Sequence, residues 1–577
     1  MSENVFNSKN YRDYLVQYQG KIIENLNSIE GIVIKPINSE LAILAIRKDL
    51  QNHINDFSVL EKDLNKDKTL LSSIVYIKSP ELYTLEDISP IEEAQVSSVQ
   101  QNNPLKLLGE DVVVGIIDTG IDYLNNEFIT DDNKTRINFI WDQSLETPEE
   151  SKDDLKYGKI YEKEDINKAI EVYKQGGNPY DIVKTKDEIG HGTAMAGIIA
   201  ATGKNPELRG VAPKCELCVI KLAESISYKE DFEIETPVYS VTSIVIAIEA
   251  LYQYAITYKK PIVIYLPLGT NSGNHHGTGL LNEYIENITN NRGIIVVTGA
   301  GNEGAAGHHA SGIIEKKDNI EEVELYVAEK QKVLIADIWI DMPNIMSINI
   351  ISPSGEDTGI IVPLLNKENK YKFIFENTIV NIRYYIPEET TGDEYIQIYF
   401  YDIQPGLWTF RIIGDVISSG IFNMWIPQNG ITKPGTAFRA PDPYGTLMIP
   451  GDSISVVTAA AYNQNSNNAL IYSSMSFKDT EVSIIDLAAG GVNTVTTSPN
   501  NGITKVSGTS VAAAVVAGVC ALLLEWGIIK ENYPYMYCQS LISYLLKGTD
   551  RRKGDMYPNA QWGYGTLNVL KMFENMT

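Results

Sequence analysis

The chain has 577 residues, more than one hydrophobic core accommodates, so two or three domains are expected. A net charge of −26 argues against nucleic acid or an anionic membrane as partner, since both need a basic face, while 44% hydrophobic and 21% charged residues are ordinary for a globular protein. Four cysteines in this length make no disulfide framework. The N-terminus, MSENVFNSKNYRDYLVQYQG, is polar, so neither a Sec signal nor a transmembrane segment is expected, and synthesis is expected in the cytoplasm.

Residues 1–95 read as a small α+β unit. YLVQYQG, GIVIKPI, LAILAI and SIVYIKS have strand character, and KIIENLNSI and HINDFSVLEKDL helical character. LEDISPIEEAQVSSVQQNNP reads as an exposed linker. In DVVVGIIDTGID, the β-branched run is that of a parallel strand buried on both faces, with Asp118 at its carboxyl end. An Asp in D-T-G also serves simply to cap a turn. The polar stretch from Asn125 to Asp187 reads as surface elaboration with one helix, INKAIEVYKQ.

DEIGHGTAMAGIIAATG sets His191 at the start of a small-residue helix, between glycines that let another backbone approach. KCELCVIKL reads as a strand, on which residues three apart face opposite sides. Cys215 and Cys218 are therefore not expected to bridge or share a metal, and with Cys520 and Cys538 they are expected as buried thiols. A long helix follows in VTSIVIAIEALYQYAITY, then the strand PIVIYLPLG, the helix LLNEYIENITNN and the strand GIIVVTGAGNEG, which ends in a Gly-rich turn carrying Asn302. Alternation of strands and helices implies an α/β fold with a parallel, doubly wound sheet. It brings Asp118, the Leu266–Gly269 segment and Asn302 to one sheet edge, where such folds hold their chemistry.

Residues 305–446 change character to β-branched and aromatic segments separated by Gly, Pro and Asp turns, the pattern of an antiparallel β-sandwich. The α/β style resumes over 447–577, so 96–304 and 447–577 read as one domain carrying an insertion. VSGTSVAAAVVAGVCALLLEWG reads as a helix buried all round, too short to cross a bilayer, with Gly527 as its C-cap. Ser510 stands in its first turn, where free N–H groups favour negative charge; a plain N-cap is the alternative. The pairs His275-His276 and His308-His309 read as exposed loop residues rather than metal ligands.

Acyl transfer at neutral pH needs a hydroxyl activated by a base, a group orienting that base, and donors for the oxyanion. Ser510, His191, Asp118 and Asn302 are residues of those types. The strings around them, D-T-G, G-H-G-T, G-A-G-N-E-G and S-G-T-S-V-A-A, resemble those of the subtilisin-like serine proteases, in the Asp, His, Ser order of that family. The resemblance implies Ser510 as nucleophile, His191 as general base and then acid, and Asp118 as its orienting carboxylate. It implies an oxyanion hole from the Asn302 amide and the Ser510 backbone N–H, and substrate pairing along Leu266, Pro267, Leu268 and Gly269. No cofactor is implied. The Asn-rich calcium loop of many family members is missing between AATGKNPELRG and VAP, so no metal is expected there. Pro267, Val511, Ala514 and Ala194 depart from the family's usual Ser, Met, Pro and second His.

The N-terminal unit resembles the family's propeptide. With the sandwich insertion, IWDQ after the Asp motif and the loop GTNSGNHHGTG, the chain is similar to the clostridial Csp spore-germination proteases, whose insertion is a jelly roll. This implies a serine endopeptidase that cuts its own propeptide, here between about Thr84 and Gln101, in a group whose members often keep the cut propeptide bound; retention in this chain is left open by the sequence. It implies a protein substrate, the precursor of a spore cortex-lytic hydrolase, and residence in the spore. A catalytically silent pseudoprotease acting as sensor or scaffold, and a general housekeeping subtilase, remain as alternatives.

Overall fold

A strand buried on both faces must lie between two layers, and Val113–Asp118 (β6), VVGIID with every residue buried, lies in that position. The computed structural model describes residues 8–19, 30–51, 73–78, 81–85, 91–101, 105–147, 157–364, 368–478 and 484–576. The two helices expected in KIIENLNSI and HINDFSVLEKDL lie outside the described residues. At the centre is an eleven-stranded, mostly parallel sheet. Its middle runs Val457–Asn463, β13 (Ile294–Gly299), β11 (Ile262–Tyr265), β6, β9 (Glu216–Lys221), β7 (Ile137–Asp142) and β8 (Lys159–Glu162). Strand order reverses at β6, so Asp118 ends the strand at the topological switch point.

Alternate residues serve alternate layers. Val114, Ile116, Val263, Tyr265, Ile295 and Val297 face a core shared with α3 (His191–Ala200), α6 (Thr509–Leu524) and α7 (Cys538–Lys547). Val113, Ile117, Ile262, Ile264 and Val296 face α4 (Val241–Tyr258) and α5 (Leu280–Thr289). Every residue of α6 is buried. Instead of stopping at Gly527, the helix passes into a π-helical turn over Glu525–Ile529. Glu525 there accepts hydrogen bonds from Leu108 N at 2.7 Å and Gly109 N at 2.6 Å, which fastens the helix end to the entry of β6. A Cβ at Gly527 would stand 2.6 Å from Met536 Cε, so that side chain would have to shift. With that turn, Thr509–Ile529 is long and apolar enough to cross a membrane, as is Val241–Tyr258, contrary to expectation; 89% and 56% of them are buried in the protein, as in core helices.

The four expected N-terminal strands, β1 (Tyr11–Tyr18), β2 (Ile32–Pro36), β3 (Leu41–Arg47) and β4 (Ile74–Ile77), form an antiparallel sheet in the order β2-β3-β1-β4. Its Leu15, Leu41 and Ile43 join the apolar layer around α4. Half-buried Asp13 accepts hydrogen bonds from Ser240 Oγ at 2.6 Å and from Thr242 Oγ1, tying β1 to the first turn of α4. Arg12 Nε donates to Asp231 Oδ2 at 2.7 Å beside it. The stretch read as an exposed linker is structured instead. Directly before it, and sharing Leu85, runs β5 (Leu82–Leu85), and its described residues include α1 (Val96–Gln101), whose Val96 and Val99 are buried in the main core. The stretch read as surface elaboration likewise adds β7 and β8 to the main sheet, alongside the expected helix, here α2 (Lys163–Lys174).

Between β13 and Val457–Asn463 the chain forms two antiparallel sheets. One has six strands (His309–Ile313, Ile421–Trp425, Val333–Ile340, Glu394–Tyr401, Ile379–Tyr385, Glu368–Lys372) and the other four (Ile345–Ile351, Gly406–Val416, Ile320–Val327, Ala437–Phe438). Their inner faces share one apolar core that includes Ile338, Ile350, Ile398, Trp408 and Phe410. Glu394 is buried at its edge. Met346 N donates to Oε2 at 2.7 Å, and Oε1 has no hydrogen-bond partner among the described residues. Burial pushes this carboxyl up to about 8. The folded protein thus holds a proton that the unfolded chain releases from 4.5 upward, and the associated stability is lost as pH rises through 8. Glu394→Gln is expected to remove roughly 4 kcal/mol of pH dependence between about pH 5 and 9, stabilising at the alkaline end, as thermal melts across that range would show.

Candidate active site

Four of the predicted residues meet at the carboxyl edge of the main sheet. Asp118 closes β6 and is fully buried. Both of its oxygens stand 2.8 Å from His191 Nδ1, and Thr119 N donates to Oδ1 at 2.6 Å. His191 opens α3, preceded by Gly190 in the left-handed region at φ 86°. Gly192 must lack a side chain: a Cβ there would stand 2.1 Å from Gly120 O and 3.2 Å from Asp118 Cβ. That absence lets the helix start settle onto the end of β6 and keeps the imidazole within reach of the carboxylate.

Asp187 holds this corner together, a role the motif did not announce. Its carboxylate accepts from Gly190 N (2.8 Å), Thr193 N (2.8 Å), Thr193 Oγ1 (2.7 Å) and Thr119 Oγ1 (2.8 Å). It thereby satisfies orphan N–H groups of α3 and links that helix to the turn after Asp118. Its signal in the sequence is an acidic residue shortly before a helix start that has no capping side chain of its own.

Ser510 lies in the first turn of α6, fully buried, and its Oγ has no hydrogen-bond partner among the described residues. No bond between Ser510 Oγ and His191 is formed. An orphaned buried hydroxyl costs about 1–3 kcal/mol and asks for a functional account. Tyr265 OH donates to Ser510 O at 2.6 Å, fixing the helix start against the end of β11. Asn302 follows β13, half-buried, and its Oδ1 accepts from Thr509 Oγ1 at 3.3 Å. The same side chain carries an Nδ2 donor pair suited to a developing oxyanion, beside the first turn of α6, where helix N–H groups point outward. Glu303, next in the chain, anchors this turn to the sandwich. Its Oε1 accepts from Asn429 N at 3.1 Å and Asn429 Nδ2 at 3.0 Å, and its Oε2 lies 2.5 Å from His308 Nδ1.

Leu266, Pro267, Leu268 and Gly269 are all buried. Leu266 N donates to Val297 O at 2.9 Å and Thr298 Oγ1 to Leu266 O at 2.7 Å, so the segment is held along the end of β13. Leu268–Gly269 (β12) pairs antiparallel with β5, Leu268 opposite Leu85 and Gly269 opposite Thr84. On its other side β5 pairs with β10 (Tyr239–Ser240), Tyr83 opposite Tyr239 and Leu82 opposite Ser240. An extended stretch of the chain itself thus fills the slot between two edges, the way an added peptide strand docks.

The histidine pairs are a correction. His275, His308 and His309 are buried, and His276 is partly so. Trp425 is stacked between His275 (4.2 Å) and His309 (4.6 Å), joining the 271–279 loop to the sandwich. Burial lowers His275 to about 4, despite the carbonyls of Asn271 and Leu447 at its two nitrogens. Among the described residues no group of three or more His, Cys, Asp or Glu is arranged to hold a metal. Cys215, Cys218, Cys520 and Cys538 are buried free thiols, as expected.

Residues 109–354 and 440–565 match the model of the subtilase family, peptidase S8. Among solved structures, the CspB protease of Clostridium perfringens is similar, with a TM-score of 0.74, 31% identity and coverage of 84% of this chain and 97% of that one. Among curated proteins, PII-type proteinases of Lacticaseibacillus paracasei and Lactococcus lactis subsp. cremoris are 23% and 24% identical over 84% and 85% of this chain. The chain spans about a quarter of the length of those two relatives, 26% in each case. With the family match covering well over half of its residues, the chain belongs to the subtilase family of serine proteases.

Proposed function

We propose that the protein is a serine endopeptidase in which Ser510 attacks the scissile carbonyl, with His191 taking the hydroxyl proton and later giving it to the leaving amine. Asp118 holds the imidazole in the tautomer that points Nε2 outward and stabilises the imidazolium. The Asn302 amide and Ser510 N–H receive the oxyanion. The observation that carries this reading is the Asp118–His191 pair, 2.8 Å at both oxygens, at one sheet edge with a buried, unpartnered Ser510 hydroxyl. Pro267 lacks an N–H, yet it keeps a carbonyl able to accept from a substrate amide.

The pairing of β5 with β12 supports the N-terminal unit as a propeptide whose end occupies the substrate groove. Since β5 runs to Leu85 and α1 is embedded in the core from Val96, self-cleavage is expected between Leu85 and Val96. The Asp13 contacts with α4 and the β5 pairing favour retention of the cut segment. By likeness to the Csp group, the physiological substrate is the precursor of a spore cortex-lytic hydrolase, activated by limited proteolysis in the germinating spore, and the sandwich is a jelly roll. The test is turnover of a peptide spanning Leu82–Val96. Wild type is expected to cut its own chain once between Leu85 and Val96 and, with the retained segment displaced, to cut this peptide at the same bond; a chain and a peptide both left whole by folded wild-type protein would overturn the reading in favour of a silent scaffold. That second reading draws on the missing Ser510–His191 hydrogen bond. Asn302→Ala is expected to lower kcat on this peptide about 10²–10³-fold with little change in KM, as loss of a transition-state donor does.

A further inference from the structure

The pairing of β5 with β12 covers only two residues, because β12 ends at Gly269. Continued by register, Leu82 falls opposite Asn271, beyond the strand. No backbone bond spans that position. A side chain from the sandwich does instead. Gln428, buried in the turn after Ile421–Trp425, donates through Nε2 to Leu82 O at 2.7 Å and to Gly269 O at 3.1 Å. Its Oε1 accepts from Asn271 N at 3.3 Å. The amide is thus inserted into the ladder, relaying the Asn271 N–H to the Leu82 carbonyl with each of its own groups used. Its backbone is held as well: Gln428 O accepts from Ile431 N at 3.1 Å and Thr432 N at 3.2 Å.

The side chain of Leu82 is equally shared. It packs in an apolar cluster built by Phe232, Ile234 and Val238 of the catalytic unit and Ile335, Tyr399 and Ile431 of the sandwich. A polar residue placed there would lose its water without gaining a partner, whereas a large apolar one fills the space. A carbonyl reader and an apolar pocket at one position of an extended chain constitute a subsite.

We propose that the sandwich completes a chain-binding subsite of the groove, selective for a large apolar residue three positions before that of Leu85, with Gln428 as the positioning residue that reads its backbone carbonyl. For substrates other than the protein's own segment this rests on the proteolytic reading above. The recognition chemistry is that of an extended peptide with an apolar side chain at this place, whatever residue precedes the cut. The inserted sheets are then part of the substrate apparatus, and removing Gln428 alters which chains bind, not whether the main sheet folds.

The full chain carrying Ser510→Ala provides a test independent of catalysis, since it holds residues 82–85 in place without cutting. Amide exchange followed by mass spectrometry is expected to rise roughly 3- to 10-fold in that segment on adding Gln428→Met, the range one hydrogen bond supplies, and likewise on adding Leu82→Asp. Exchange in β11, β13 and Val333–Ile340 is expected to stay unchanged. Unaltered exchange over 82–85 in both variants overturns the subsite. With Ser510 intact, the ratio of kcat/KM for a peptide starting at Leu82 to one starting at Tyr83 is expected to fall roughly 3- to 10-fold in Gln428→Met, the apolar pocket keeping it above one. A ratio that is the same in both proteins overturns the role toward substrates. If wild type whose own segment has been displaced cuts neither peptide, the proteolytic reading fails, and the exchange result alone decides the subsite.

Discussion

Ser510→Ala is expected to lower kcat on the Leu82–Val96 peptide by about 10⁶, to the level left by binding and oxyanion donors alone. The fold is expected to tolerate the change well. Ser510 Oγ makes no hydrogen bond among the described residues, so alanine removes a buried polar atom without orphaning a partner. Tyr265 OH is bonded to the Ser510 backbone carbonyl, which alanine keeps. A melting temperature equal to or above wild type, with turnover at background, is the combined outcome that identifies a hydroxyl kept for chemistry. A loss of stability with activity retained would return Ser510 to the role of a helix-start residue.

Asp118→Asn carries the next largest effect, roughly 10⁴ in kcat. The amide has nearly the shape of the carboxylate but offers His191 Nδ1 only one acceptor. Asp118 now meets Nδ1 with both oxygens at 2.8 Å, which holds the proton on that nitrogen and leaves Nε2 as the base. With asparagine, the amide NH₂ competes for Nδ1 and favours the opposite tautomer, and no charge remains to stabilise the imidazolium. Peptide turnover beside a thermal melt distinguishes this from disruption of the corner. The Asp187 bonds to Gly190, Thr193 and Thr119 do not involve Asp118, so the helix start is expected to stay in place.

Much of this arrangement was visible in local sequence. β6 announces itself because six successive residues must be buried on two faces, and only a central parallel strand does that. The apolar body of α6 and the Gly-rich turn at Asn302 are equally local. What could not be read depends on distant partners. LYTL is too short to declare itself a strand, and its two neighbouring edges come from chain segments far away. Asp187 acts from outside the helix it caps. The His pairs look like surface loop because their flanks are Gly and Asn, yet Trp425 from the sandwich covers them. β8 hides in a charged stretch because a sheet edge needs few apolar residues, whereas β7 beside it is a short apolar run, INFIWD, enclosed by polar sequence. Gly527 reads as a cap by residue type, whereas the helix continues because Glu525 turns inward to bind Leu108 and Gly109.

On the proposed function, β5 lies where a substrate strand would pair, and a segment held by β10 and by β12 would block an incoming chain until displaced. Activity toward other substrates would then depend on how readily residues 82–85 leave, with Asp13, Gln428 and the Leu82 cluster all opposing it.

The central claim, that Ser510 and His191 form a working nucleophile and base that act first on the protein's own chain, is met most directly by intact mass and N-terminal sequencing of the purified full-length protein beside its Ser510→Ala form. The expected result is two co-purifying chains in wild type, the longer beginning between Leu85 and Val96, and a single uncut chain in Ser510→Ala. A wild-type chain that stays whole, or a Ser510→Ala chain cut at the same bond, would contradict it.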